Sequence, residues 1–259
     1  MSEAAPSSET APSPSKPTAD ANAAPFSRPL IALAALLTVS AILRLWFGWS
    51  EVGIYWPDEV YQSLEMGHRL AFGYSIIPWE FLEGARNWTL PALIGAVMKV
   101  SSWIGLDAPE NYLRLIRVIF AALGVIATWG AYRLAKVYRS TEDTAIAGAA
   151  LFGLTAVPLY FSHRAMSETA SAAPVVWGLV LLLDSYKTNA LPRRIVGASL
   201  LGLAVLIRLQ CGLFCVGALL MLLGRKRWRD AGYAFAVLAF WAFLFGLIDK
   251  LTWGSWFQS

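Results

Sequence analysis

Pro29-Leu30-Ile31-Ala32-Leu33-Ala34-Ala35-Leu36-Leu37-Thr38-Val39-Ser40-Ala41-Ile42-Leu43-Arg44-Leu45-Trp46-Phe47-Gly48-Trp49 carries one charge, Arg44, in an otherwise apolar run. About 20 mostly apolar residues suffice to cross a bilayer as a helix, so this stretch predicts a first membrane span over 30–49. Just beyond it stands Trp56-Pro57-Asp58-Glu59, two adjacent carboxylates where the span ends. Acids at the membrane surface, followed by an amphipathic stretch, suggest chemistry performed on something that resides in the membrane.

Composition extends the reading to the whole chain. With 57% hydrophobic and 15% charged residues and a mean hydropathy of +0.54, the sequence excludes an ordinary soluble domain and holds material for about seven crossings. Its aromatic content (Trp 12, Phe 13, Tyr 9) suits rings placed at membrane interfaces. The net charge of +4 calls for no nucleic acid, because most Lys and Arg stand in short clusters beside apolar runs. Residues 1–27 are Ala, Pro, Ser and Thr with few large apolar side chains, which predicts a disordered cytoplasmic tail. That segment is too long and polar for the n-region of a signal peptide, so the first span is expected to persist as an anchor. Cys211 and Cys215, four apart in an apolar segment, read as packing residues rather than as a zinc pattern or a disulfide framework.

Basic clusters set the topology. They fall near Arg28, at Arg133, Lys136 and Arg139, at Lys187, Arg193 and Arg194, and at Arg225, Lys226, Arg227 and Arg229. The positive-inside rule puts all four on the cytoplasmic side. Spans are then expected at 30–49, 114–135, 142–161, 170–186 and 231–249, with an external loop over 50–113. The run 195–224 would be about 43 Å long as one helix at ~1.5 Å per residue. Basic residues at both of its ends make it a hairpin of two spans, with Arg208 and Gln210 at the outer apex. The apolar stretch 90–106, which contains Lys99, is expected to lie on or dip into the interface. The expected fold is an all-α polytopic membrane protein with about seven transmembrane helices and interfacial helices in its external loop.

This topology gathers Asp58, Glu59, Glu65, His68, Glu80, Glu83, Arg86, His163, Arg164, Glu168, Arg208, Gln210 and Asp249 on one face. Ionisable groups at a membrane are kept mostly where they pair or line a site. Pro57 with Asp58 and Glu59 suits a helix N-terminus, and Val60, Leu64, Gly67 and Ala71 follow at helical spacing, predicting an interfacial helix over 57–71. Taken alone, the acid pair reads as well as first-turn decoration as it does as a site. Arg164 and Arg208 sit at external hairpin tips, where each either snorkels or awaits a phosphate, whose oxygens match its planar fork. With only His68 and His163 present, and no Cys or His at ligand spacing, a metal has no support. Asn87-Trp88-Thr89 matches an N-glycosylation pattern but abuts a hydrophobic segment. No Walker or Rossmann signature occurs.

These residues resemble a family. Pro57-Asp58-Glu59-Val60-Tyr61-Gln62-Ser63-Leu64-Glu65, then Phe72-Gly73-Tyr74, then Arg86-Asn87-Trp88 is similar to the first external loop of the glycosyltransferase family 22 mannosyltransferases. That family includes the GPI-anchor mannosyltransferases and those extending asparagine-linked glycan precursors. Trp56 stands where the family has His, and Asn87 where it has Ser. Tyr160-Phe161-Ser162-His163-Arg164-Ala165-Met166-Ser167-Glu168, Arg208-Leu209-Gln210, and Asp249 with Trp253-Gly254-Ser255-Trp256 resemble its later motifs in the expected order.

The resemblance implies a GT-C-like transmembrane module over 28–256, with 257–259 as the C-terminal end, lacking the C-terminal half of longer family members. It implies a polyprenyl- or dolichyl-phosphate mannose donor and a glycan or glycolipid acceptor, in a bacterial plasma membrane or an endoplasmic reticulum membrane. Transfer would occur by one inverting displacement on the external or luminal face. Asp58 would then be the catalytic base and Glu59 its companion. Arg164, Arg208, Arg86 and His163 would hold the donor phosphate, and Gln62, Trp88, Glu168, Gln210 and Asp249 would line the substrate site. Arginine can neutralise the departing phosphate, so no cofactor or metal is expected. Trp56, Trp79 and Trp88 either stack on sugars or anchor at the interface. Two other classes stay open: a catalytically silent subunit of a glycosyltransferase complex, and a transporter of a lipid-linked substrate, neither of which needs Asp58.

Overall fold

The structure is a computed structural model that describes residues 28–51, 53 and 56–259. The tail expected over 1–27 lies outside the described residues. Every regular element among the described residues is helical. In chain order these are α1 (Arg28–Ser50), α2 (Pro57–Glu59), a π-helical turn (Val60–Leu64), α3 (Glu65–Phe72), α4 (Trp79–Leu82), α5 (Thr89–Trp103) and α6 (Pro109–Val137). There follow α7 (Glu142–Leu154), α8 (Ala156–Phe161), α9 (Ser167–Thr188), α10 (Leu191–Ile207), a 3-10 turn (Leu209–Cys211), α11 (Gly212–Gly224) and α12 (Trp228–Trp253).

Among the described residues, three helices, α1, α6 and α12, are long and apolar enough to cross a membrane. The chain is therefore an all-helical, multi-pass integral membrane protein. Of the other expected crossings, 170–186 lies within the continuous 22-residue α9, and the remainder have more broken forms. The run over 142–161 is split at Thr155, whose ψ of 154° interrupts the helix. Pro158 explains the split, since it has no N–H to offer Leu154 and is tolerated only in a first turn, here that of α8. The run over 195–224 parts into α10 and α11 at Arg208–Cys211, as expected of a hairpin, and Ala198 and Leu201 share one buried cluster with Cys215, Ala218 and Leu222. Both cysteines are free and buried, in keeping with a packing role. The stretch 90–106 forms the 15-residue α5.

Close approaches at glycine hold two of these layers together. A Cβ on Gly95 would come within 2.7 Å of the Gly67 carbonyl, so α3 and α5 cross backbone to backbone. One on Gly197 would lie 2.9 Å from the Gly178 carbonyl, where α9 meets α10.

Arg44 shows how a charge is accommodated inside a span. It is 1% exposed and turns into the protein, where its Nη1 donates to the Gly153 carbonyl at 2.8 Å and to Ser40. The split at Thr155 strips Gly153 of its intrahelical donor, and an unpaired carbonyl in a lipid environment costs several kcal/mol, roughly. Arg44 of α1 thus closes the break between α7 and α8. Arg117 of α6 does the same for the end of α1, donating to the carbonyls of Gly48 and Gly53 at 3.4 Å and to that of Glu51. These two arginines fix the segments that carry Glu51 and His163.

Candidate active site

The helix expected over 57–71 forms, but with a π-helical turn at Val60–Leu64. Insertions of this kind rotate side chains out of α-register and often occur at functional sites. The apolar stripe shifts as a result: Glu59 and Ser63 are buried with Leu64, Met66, Gly67 and Ala71, while Val60 is only half-buried. Asp58 stays exposed. The two neighbouring carboxylates therefore meet different surroundings.

Glu59 is 3% exposed. One oxygen accepts from Arg164 Nη1 at 3.1 Å and the other from the backbone N–H of Ala165 at 3.2 Å. Arg164, 1% exposed, also donates to Glu51 at 2.6 Å and to the Tyr160 hydroxyl at 3.1 Å. Its guanidinium lies 4.7 Å from the centre of the Tyr160 ring. His163 Nε2 is 3.1 Å from Glu51, and its Nδ1 is buried without a partner. One cation is thus shared between two carboxylates in a largely desolvated cluster. Such a cluster tolerates no missing member.

Burial pushes the His163 pKa below its ordinary value of 6.5, and Arg164 adds to that direction while Glu51 and Glu59 oppose it. The native ring is neutral and donates Nε2–H to Glu51. As pH falls below 6.5, the unfolded chain takes up a proton that native His163 resists, so stability present above 6.5 is lost as pH falls through the depressed value. The melting midpoint is expected to drop between pH 7.5 and 5.5, and His163→Gln should flatten that dependence. A curve unchanged by the substitution would contradict this assignment.

A second, wetter arrangement lies beside the first. A cavity of about 280 Å³ is lined by Gln62, Ser63, Trp79, Glu80, Arg86, Asn87, Ser167, Arg208 and Gln210, among others. Gln62 Nε2 donates to Asp58 at 2.8 Å and to Glu80 at 3.0 Å, and Arg86 lies 4.0 Å from Glu80. Asp58 is thereby tied to the cavity rim through Gln62. Arg208 reaches in from the turn after α10, donating to Ser167 at 3.0 Å and pairing with Glu168. Arg86 and Arg208 are both partly exposed, so their pairs are weak and exchangeable.

Of the residues singled out in sequence, the structure brings Gln62, Arg86, Arg208 and Gln210 into one lining, with Asp58 at its edge and Glu168 behind Arg208. Others stand outside it. Glu59, Arg164 and His163 form the buried cluster. Trp88 packs against Phe81 and Trp253. Asp249, 0% exposed, accepts from Asn87 Nδ2 at 3.0 Å and from Ser259, pinning the chain before α5 to the end of α12. The Asn87 amide is therefore engaged within the protein. Sequence patterning gathered Glu80 on the same face without giving it a role, and did not single out Glu51 or Ser167. Glu51 carried one signal, as the first charge after the apolar run.

A helical membrane protein whose acids and arginines converge around one polar cavity is, by class, a membrane-embedded protein with a charged, polar cavity. Within that class, the chain belongs to the Alg9-like mannosyltransferase family, whose model matches residues 35–259. It is 35% identical over 141 residues to GPI mannosyltransferase 3 of Yarrowia lipolytica, covering 52% of this chain and 26% of that protein. With GPI alpha-1,2-mannosyltransferase 3 of Homo sapiens the identity is 31% over 86 residues, covering 33% and 16%. With mannosyltransferase APTG1 of Arabidopsis thaliana it is 41% over 71 residues, covering 26% and 13%. The matches thus span about a quarter or less of these relatives' lengths. No solved structure matches.

Proposed function

We propose that this chain carries the site of a mannosyltransferase that moves a mannosyl residue from a polyprenyl- or dolichyl-phosphate donor to a hydroxyl of a GPI-type glycolipid acceptor. The observation that supports it most is the exposed Asp58 carboxylate, hydrogen-bonded to Gln62 in the lining of a cavity that also holds Arg86 and Arg208. Chemistry would take place on the external or luminal face, at the end of a seven-crossing module over 28–256.

In this reading the acceptor oxygen attacks the anomeric carbon while the carbon–oxygen bond to the lipid phosphate breaks, in one inverting displacement. The bonding pair leaves with the phosphate, and the hydroxyl proton passes to Asp58. Gln62 holds Asp58 and Glu80 in line. Arg208 exchanges Glu168 for the phosphate oxygens, with Arg86 completing the neutralisation, a stabilisation that grows as the negative charge develops. Glu59, Arg164 and His163 position the segment rather than touch the donor, because their charges are already mutually satisfied. Gln210 faces the sugar, while Trp88 and Asp249 support the loop that carries Arg86.

The test is transfer of labelled mannose from polyprenyl-phosphate mannose by membranes containing this chain. Wild type is expected to incorporate label. Arg208→Ala should reduce kcat/KM for the donor by roughly ten- to hundredfold, the loss of about 1.5–3 kcal/mol for a hydrogen bond to a charged group. No incorporation by correctly inserted wild type would sink the proposal in favour of a silent subunit or a transporter.

A further inference from the structure

We infer that the basic end of the molecule holds a binding site for the phosphate headgroup of an anionic membrane phospholipid. This site is separate from the cavity described above. The helices α10 and α12 each run from one site to the other, the latter from Trp228 to Phe245, ~25 Å along either at ~1.5 Å per residue.

A cavity of about 600 Å³ opens where the α9–α10 connection meets the start of α12, lined by Asn189, Leu191, Arg194, Lys226, Arg227, Trp228, Arg229, Asp230 and Tyr233. Its lining carries four cations against one carboxylate. Asp230 is shared by Arg194 and Arg227, each at 2.5 Å. Among the described residues, no carboxylate lies within ion-pair distance of Lys226 or Arg229, and both are exposed. Lys226 and Arg229 thus add positive charge beside the Asp230 pairs.

Three further features point to an anion seated there. Arg194 is 6% exposed and lines the cavity, yet its Nε has no partner. A buried guanidinium N–H left unpaired is costly, and an anion accepting from it would relieve that cost. Two helices, α10 and α12, start at this cavity without a side-chain cap. Helix starts present free N–H groups and partial positive charge to an anion.

The surroundings select a lipid over a soluble anion. Leu191, Trp228 and Tyr233 are 40%, 67% and 50% exposed around the same opening. Amphipathic rings of this kind settle at the headgroup level. A phosphate held by Lys226 and Arg229 would leave its acyl chains against the apolar outer faces of the helices. Basic pockets between membrane helices on the cytoplasmic side are suited to such headgroups.

The experiment reads the thermal midpoint of the chain in nanodiscs of phosphatidylcholine, with and without phosphatidic acid, at fixed ionic strength. Phosphatidic acid is expected to raise the midpoint of wild type. Lys226→Ala with Arg229→Ala should remove at least half of that shift while leaving the midpoint in pure phosphatidylcholine unchanged. Arg133→Ala with Arg139→Ala, exposed cations of another basic cluster, should leave the shift intact. Equal loss in both pairs, or no shift with phosphatidic acid, overturns the site. Glycerol 3-phosphate added to phosphatidylcholine discs is the soluble counterpart; full stabilisation by it would overturn the lipid assignment.

Discussion

Asp58→Asn is expected to abolish mannosyl transfer, lowering kcat by about 10²–10⁴, the usual contribution of a positioned general base, while the folded protein is retained. Asp58 is exposed, and its recorded side-chain partner is Gln62 at 2.8 Å. Asparagine keeps the shape and an oxygen for that hydrogen bond but cannot accept the acceptor's proton. Surface changes of this kind usually alter stability by no more than about 0.5 kcal/mol. Turnover and melting midpoint should therefore separate. The same substitution at Glu59 would remove a buried ion-pair partner and move both readouts, so comparing the two variants distinguishes a reacting carboxylate from a structural one. Activity within a few-fold of wild type in Asp58→Asn would remove Asp58 from the mechanism.

That contrast between neighbours was not legible in the sequence. Apolar periodicity over 57–71 predicts a helix, and a helix forms. Its π-helical turn, however, rotates Glu59 inward and leaves Asp58 out, a choice no spacing rule announces. The long apolar runs were read directly, because length and hydropathy alone specify α1, α6 and α12. The hairpin apex at Arg208 and Gln210 followed from basic residues at both ends of one overlong run. The break at Thr155 had a local cause in Pro158 that hydropathy does not register. Partners were harder still. Arg164 finds Glu51 and Glu59 more than a hundred residues away, and a charge's partner is decided by tertiary packing. Read from sequence, Arg164 and Arg208 are equivalent hairpin-tip arginines. In the structure one is sequestered by two carboxylates and the other remains partly open beside a polar cavity.

The sequestered arginine carries the largest expected effect on stability. Arg164→Met removes the one cation between Glu51 and Glu59, whose side chains are 21% and 4% exposed. Glu51 can turn to water, but Glu59 cannot. Breaking a buried pair by removing one partner costs about 3–5 kcal/mol, a large share of the ~5–15 kcal/mol that holds a typical domain. Arg164→Met is therefore expected to lower the melting midpoint sharply and to leave much of the protein misfolded when it is extracted in detergent. Adding Glu59→Gln should restore most of that loss, because the amide keeps an oxygen for the Ala165 N–H and carries no charge to strand. Arg164→Lys should fall between, since an ammonium supplies the charge but not the fork that reaches both carboxylates. The double-variant cycle measures the coupling directly. Additive losses from Arg164→Met and Glu59→Gln would mean that the two side chains act independently. Strong recovery would place the charge balance of this cluster at the foundation of the site, because Glu59, which it holds, directly follows the carboxylate proposed to take the proton.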